Sequence, residues 1–231
     1  MKLSVIIPAC NEAHTLEEIV RRVRVTGLVH EILVVDDGSR DGTPEVLARL
    51  RNADAPPLQI LRHEYNRGKG AAVRTGLAAA TGDVVLVQDA DLEYDPTDYP
   101  GLLAPFTDPA VQAVYGSRNL RSNPQSSFAF YWGGRFLSWT TNLLYGSRLT
   151  DEATGYKVVR TGVMQGLGLR EDGFEFCPEI TGKLIRAGVR IHEVPISYQP
   201  RSRAAGKKIR WYHGLSAIVV LMRCRFTDRR D

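Results

Sequence analysis

The chain has 231 residues, 43% hydrophobic and 24% charged, with a formal net charge of +4. That length fits one α/β domain with extensions and an ordinary globular core. No apolar run approaches the ~20 residues that span a bilayer, the longest being Leu215–Met222, and the three cysteines, Cys10, Cys177 and Cys224, lack metal-ligand spacing.

Taken in order, the first half alternates strands and helices. MKLSVIIPACNE reads as a first strand, Leu3–Ile7, rather than a leader peptide. Thr15-Leu-Glu-Glu18 has the form of a capping box before a helix to about Thr26. Glu31–Val35 is a second strand, and Thr43-Pro44 offers an N-cap and a first-turn proline for the next helix. Gln59–Arg62, Gly70–Ala80 and Asp83–Val87 continue as strand, helix and strand. Such alternation implies a mostly parallel sheet flanked by helices, with ligands beyond the carboxyl ends of its strands. The second half is less regular: a strand within Val111–Tyr115, an aromatic helix over Phe128–Tyr145, a strand within Ala187–Tyr198, and an amphipathic C-terminal helix from about Trp211.

Carboxylates gather where the strands stop. Strand one runs into Pro8-Ala-Cys-Asn-Glu12, strand two into Asp36-Asp37, and strand four into Asp89-Ala90-Asp91-Leu92-Glu93. Acids converging on one sheet edge repel each other unless a cation or hydrogen-bond donors are present. Asp89 and Asp91, one residue apart at a strand end, suit a hard cation such as Mg²⁺ or Mn²⁺, which takes oxygen ligands and keeps positions for substrate phosphates. Arg67-Gly-Lys-Gly70 is neither a Walker loop nor a dinucleotide fingerprint, because Ala71 and Val73 stand where those motifs need Lys and Gly. It leaves two readings, an anion site at a helix start or a tight packing loop.

The segments VIIPACNE, VVDDGSRDGT, NRGKGAAVRTG, DADLEYDP and GSR resemble the family 2 glycosyltransferases with a GT-A fold. TDEATGYKVVR, FEFCPEI and EVPISYQPRSRAAGKKIRW are similar to the branch containing dolichyl-phosphate mannose synthase and bacterial polyprenyl-phosphate glycosyltransferases. The resemblance implies a single glycosyltransferase domain over 1–231, with residues 1–118 binding nucleotide sugar and metal and residues 119–231 binding the acceptor. It implies that Pro8, Cys10 and Glu12 line the nucleotide pocket, that Val35 and Asp37 meet base or ribose, and that Asp89 and Ala90 border diphosphate and sugar. Asp91, helped by Asp89 and Glu93, would hold Mg²⁺ or Mn²⁺. Arg118, Arg201 and Lys207 would join the nucleotide-sugar site and meet donor or acceptor phosphates through charge-assisted hydrogen bonds. Many relatives carry glutamine where this chain has Glu93 and arginine where it has Lys157, changes that bear on sugar or acceptor identity.

A phosphate acceptor is largely ionised near neutral pH, its second pKa being ~6, so it needs cations to place it more than a base to deprotonate it. Residues 201–231 carry a net +7, leaving −3 on residues 1–200, which fits an anionic partner. The expected reaction is inverting transfer of a hexose, of the GDP-mannose or UDP-glucose type, to a polyprenyl phosphate by a cytoplasmic protein docked on the inner membrane face. Asp151 is read either as an orienting group for sugar or cations, or as an ion-pair partner of Lys157. Phe128, Trp132, Phe136 and Trp139 share one helical face, which fits core packing or, with Trp211–Phe226, a membrane interface. A soluble acceptor keeps the same donor chemistry. A nucleotidyltransferase lacks support in the non-glycine loop after strand one, and a nucleic acid partner would be repelled by the acidic strand ends.

Overall fold

The computed structural model describes residues 1–51, 56–124, 128–200 and 212–227. Arg201, Lys207 and Trp211 lie outside the described residues. The first half forms β1 (Leu3–Ala9), α1 (Leu16–Val25), β2 (Val29–Asp37), α2 (Thr43–Leu50), β3 (Leu58–His63), α3 (Lys69–Ala79) and β4 (Val84–Val87). The second supplies α4 (Tyr99–Leu103), β5 (Ala113–Ser117), α5 (Phe128–Tyr145), β6 (Lys157–Arg160), α6 (Thr161–Gly166), α7 (Phe176–Arg186), β7 (Ile191–Pro195) and α8 (Tyr212–Phe226).

One seven-stranded sheet takes strands from both sides of residue 118, in the order β3-β2-β1-β4-β6-β5-β7. β1 pairs in parallel with β2 and β4, β2 with β3, and β5 with β7. β6 runs antiparallel between β4 and β5, so the other six strands all end on one edge while β6 starts there. The β-branched runs alternate faces as the pleat requires. Leu3, Val5 and Ile7 pack with α1, α2 and α4 on one side. Ile6, Val85 and Val87 pack with Val73 of α3, Met164 of α6 and Ile180 of α7 on the other. A satellite core of Leu137, Ala217 and Leu221 joins α5 to α8.

Two caps differ from the sequence reading. The Thr15 hydroxyl turns back to Glu12, donating to its Oε2 at 3.1 Å, and Glu18 binds Arg21 and Arg22, so no reciprocal box forms. Thr43 is the first residue of α2 rather than its cap, and Asp41 accepts both its N–H, at 3.0 Å, and its hydroxyl, at 2.6 Å. β6 and α7 escape sequence reading for simple reasons. β6 is four residues long, and α7 hides behind Pro178 and Gly182, which ordinarily weaken a helix.

The aromatic stripe of α5 faces solvent. Trp132, Phe136, Trp139 and Leu143 are 55%, 55%, 59% and 69% exposed, whereas Leu137, Ser138 and Thr141 take the buried side. α8 repeats the arrangement with Leu215, Val219, Met222 and Phe226 exposed and Ala217, Val220, Leu221 and Cys224 buried. Both stripes follow i, i+4, i+7, i+11 spacing, which defines one side of a helix. No helix among the described residues is long and apolar enough to cross a membrane.

Candidate active site

The acids at the carboxyl edge are each held by a particular donor. β1 leaves the sheet through Asn11, a non-glycine residue at φ 55°. Its N–H donates to Ser39 Oγ at 3.0 Å, and its Oδ1 accepts from the Arg40 N–H at 2.9 Å. The Glu12 N–H donates to Thr43 Oγ1, 3.0 Å away, which joins the loop after β1 to the start of α2. Pro8 pairs with Val35 across those strands, and Cys10 accepts a hydrogen bond from Asn66 Nδ2 at 3.0 Å. Val35 is fully buried.

Asp37 is also buried. Its Oδ1 lies 2.7 Å from His63 Nδ1 and accepts the Arg67 N–H at 2.8 Å, while Oδ2 accepts the Gly68 N–H at 2.9 Å. This carboxylate fixes the loop between β3 and α3. The glycines of that loop are demanded by a close approach rather than by a phosphate. Gly68 has φ 100°, and a Cβ there would strike the Asp172 carbonyl oxygen. One on Gly70 would strike that of Glu171 and come within 2.9 Å of Phe176 Cβ. The first amides of α3 are taken as well, Gly70 and Ala71 donating to Asp172 O at 2.7 and 3.1 Å. Of the two sequence readings, the structure favours the packing loop.

β4 runs into Gln88, whose buried amide precedes the acidic triplet. It accepts hydrogen bonds from the hydroxyls of Tyr99 and Tyr156, at 2.8 and 2.7 Å, and donates to the Asp89 carbonyl at 3.0 Å. Asp89 pairs with Lys69 from the start of α3. Burial works against the charge of this lysine, but Asp89, with Cys177 and Asp91 further off, holds its ammonium above the ordinary lysine range. Ala90 is buried, Asp91 Oδ1 accepts the Glu93 N–H at 3.1 Å, and Leu92 turns the chain at φ 63°. Glu93 Oε2 accepts the Tyr198 hydroxyl at 2.8 Å. Among the described residues, no three acidic, histidine or cysteine side chains form a metal cage. Asp89, Asp91 and Glu93 therefore do not converge as a set of three, because Glu93 turns to Tyr198. The two remaining carboxylates still fit Mg²⁺ or Mn²⁺, which commonly takes one or two protein carboxylates and completes its shell with water and substrate phosphate.

On the other side of the edge, Arg118 follows β5. Its Nε and a terminal guanidinium nitrogen donate to the two Asp151 oxygens, each at 2.7 Å, and its N–H adds a bond of 2.9 Å. Its guanidinium lies 5.1 Å from the Tyr198 ring centroid. Burial opposes both charges. For Asp151 the Arg118 guanidinium outweighs it and holds the carboxyl below the usual carboxylate range, while Tyr94 and Asp151 hold Arg118 well above its ordinary value. Glu193 accepts the Thr150 and Asp151 N–H groups, at 2.8 and 3.0 Å, and fixes the loop that carries Asp151. The ion-pair partner of Asp151 is thus Arg118, and Lys157 sits instead in a buried cluster with Glu152 and Thr181. Burial raises the Glu152 carboxyl despite Lys157.

A family model, glycosyl transferase family 2, matches residues 4–167. The chain belongs to glycosyltransferase family 2. It is 33% identical over 214 residues to a dolichol-phosphate mannosyltransferase of Pyrococcus furiosus, covering 90% of this chain and 59% of that protein. It is 31% identical over 219 residues to an undecaprenyl-phosphate mannosyltransferase of Micrococcus luteus, covering 90% of this chain and 87% of the other. A crystal structure of glucosyl-3-phosphoglycerate synthase from Mycobacterium tuberculosis, in complex with Mn²⁺, UDP and glucosyl-3-phosphoglycerate, superposes with a TM-score of 0.75 at 20% identity. That likeness covers 99% of this chain and 81% of the other, and it is one of fold, GT-A-like. Tyr94 accepts the Gly155 N–H at 2.8 Å and lies with its ring 5.3 Å from that of Tyr198; with Lys69, Gln88 and Tyr198 it lines the candidate site, and motif reading missed all four. Of these, Lys69, Tyr94 and Tyr198 lay inside motifs already singled out, whereas Gln88 was marked only by its place between strand and acids.

The site yields two predictions for this glycosyltransferase. Gly70→Ala lowers stability by about 1–3 kcal/mol, as overpacking does, and calorimetry should find the melting temperature reduced by several degrees. Asp151→Ala is expected to destabilise by about 3–5 kcal/mol, the range for orphaning one partner of a buried ion pair, with Arg118 22% and Asp151 1% exposed in their side chains. A carboxyl with a depressed folded pKa contributes stability above its unfolded value of about 3.9, and that stability is lost as pH falls through the lower folded value. Denaturation curves across that range should show a flatter acid limb for Asp151→Asn than for wild type.

Proposed function

We propose that this protein transfers a hexose, with inversion, from a nucleoside-diphosphate sugar to a polyprenyl phosphate, using Mg²⁺ or Mn²⁺. The observation that carries this is that one sheet edge holds both charges, the Asp89 and Asp91 carboxylates just past the end of β4 and the Arg118 guanidinium, clamped by Asp151, just past the end of β5. A charged diphosphate needs the first and a charged acceptor the second. The lipid-phosphate names of the relatives at 33% and 31% identity support the acceptor class, though the first of them is much longer than this chain.

In this reading residues 1–118 hold the donor and 119–231 the acceptor, within one domain. Pro8, Cys10 and Glu12 line the nucleoside pocket, while Val35 and Asp37 shape it through the backbone and loop they hold. Asp89 and Ala90 border the diphosphate and sugar. Asp91 with Asp89 would hold the cation, which would neutralise charge on the departing diphosphate. Arg118, at the boundary between the two halves, places the acceptor phosphate with Arg201 and Lys207 through charge-assisted hydrogen bonds. The acceptor oxygen bonds to the anomeric carbon as the bond to the donor diphosphate breaks, and the electron pair leaves with the diphosphate. An ionised phosphate carries no proton on the attacking oxygen, so the step needs no general base. Asp151 is a positioning residue, since it touches Arg118 and not the reacting atoms. Asp91→Ala should abolish transfer while leaving the circular dichroism spectrum unchanged, and turnover of the wild type that persists in EDTA would remove the metal from the reaction.

The acceptor is a lipid, and the exposed apolar stripes of α5 and α8 support peripheral docking on the cytoplasmic membrane face, with Trp132 and Trp139 at headgroup depth. Lysines and arginines near an anionic surface each add ~1 kcal/mol. A Trp132→Asp, Trp139→Asp variant should lose flotation with anionic liposomes yet keep kcat on a short, water-soluble prenyl phosphate. Labelled product on a soluble sugar, with none on the lipid phosphate, would instead assign a soluble acceptor.

A further inference from the structure

The Arg67-Gly-Lys-Gly70 loop holds a residue that its packing role does not explain. The glycines fit against residues 171–173, and the first amides of α3 are capped by Asp172. The Lys69 side chain goes elsewhere, into the edge of the sheet, to Asp89. It is mostly covered, with 16% of its side chain exposed, and its ammonium lies 5.8 and 5.6 Å from the ring centroids of Phe174 and Phe176. Burying an ammonium is unfavourable unless it is paired, and a lysine that only packed α3 against the sheet would not need its charge there. Asp89 cannot readily turn away. A Cβ on Gly155 would lie 2.9 Å from its Oδ2, so backbone walls one side of the carboxylate and Lys69 holds the other.

We propose that Lys69 is a resident counter-ion that contests Asp89 with the divalent cation, making metal binding weak in the free protein and tight once a nucleoside diphosphate is present. The inference rests on the metal-dependent reading above. Two cations on one fixed carboxylate repel each other, so the first to arrive disfavours the second. A diphosphate supplies new anionic oxygens, and a lysine suits the exchange because it is a compact charge on a flexible stem with no fixed fork to satisfy. Lys69 then faces the diphosphate while the cation takes Asp89 and Asp91. Linkage makes the effect reciprocal: whatever the diphosphate adds to metal affinity, the metal adds to diphosphate affinity.

The test is Mn²⁺ binding, read as loss of the free-ion electron paramagnetic resonance signal, for wild type, Lys69→Met and Lys69→Arg, with and without UDP or GDP. Lys69→Met should bind Mn²⁺ about tenfold more tightly than wild type in the absence of nucleotide, within the usual span of site couplings. It should also gain less on addition of the diphosphate, and Lys69→Arg, which keeps the charge, should follow wild type. A folded Lys69→Met with unchanged or weaker Mn²⁺ affinity overturns the inference and leaves the metal reading standing. Wild type that fails to take up Mn²⁺ even with UDP or GDP overturns both. Should Lys69→Met not fold, wild type still decides. Mn²⁺ affinity no greater with the diphosphate than without it, after correction for the metal–nucleotide complex in solution, defeats the proposal.

Discussion

A carboxylate removed from water must be met by a cation or by hydrogen-bond donors, and the carboxyl edge of this sheet is organised around that requirement. Asp36 accepts the Ser39 N–H at 2.9 Å and faces Arg62 at 3.3 Å. Asp37 gathers His63 and two backbone amides, Asp89 takes Lys69, and Asp151 takes Arg118. Each pairing draws in a segment from a different part of the chain. Asp37 brings down the loop before α3, and Asp151 bridges from the turn after α5 to the end of β5. The loops of the site are therefore placed by charge compensation, on a scaffold placed by hydrophobic burial.

The compensations also run outward. The loop that caps α3 through Asp172 contacts α8 through its neighbours, with Arg223 paired to Glu171 and Ser216 donating to Glu175 Oε1 at 2.6 Å. Phe174 and Phe176 of the same stretch flank Lys69. One short segment thus touches the helix that carries an exposed apolar stripe and the lysine beside the acidic triplet. Tyr198 plays a similar part after β7, donating to Glu93 while its ring lies beside Arg118.

Much of the first half was legible because its signals are local. Short unbroken β-branched runs, a proline in the first turn of α2 and acids just past strand ends all lie within a few residues of the feature they announce. The carbonyl cap of α3 by Asp172 was not legible, since the partners are about a hundred positions apart. Gln88 is a similar case: nothing near it in sequence marks it as the anchor of two tyrosines. The capping box failed because Thr15 found a nearer acceptor in Glu12. The aromatic stripe of α5 showed the opposite limit, since periodicity assigns residues to a common side without saying whether that side meets protein or solvent.

The reversed direction of β6 bears on how the chain acquires its structure. β5 has two neighbours in the sheet, β6 and β7, and both come later in sequence. A chain emerging from its amino terminus can pair β2 with β1, β3 with β2 and β4 with β1 as they appear, but β5 then has no strand to join. β6 must close a long loop to enter between β4 and β5, a non-local event of the kind that slows folding. Until then the free side of β4 and all of β5 present unpaired backbone groups. During synthesis the protein therefore passes through an interval in which β4 and β5 are open-edged; a four-residue strand, β6, closes the gap between them, and the far side of β5 waits for β7.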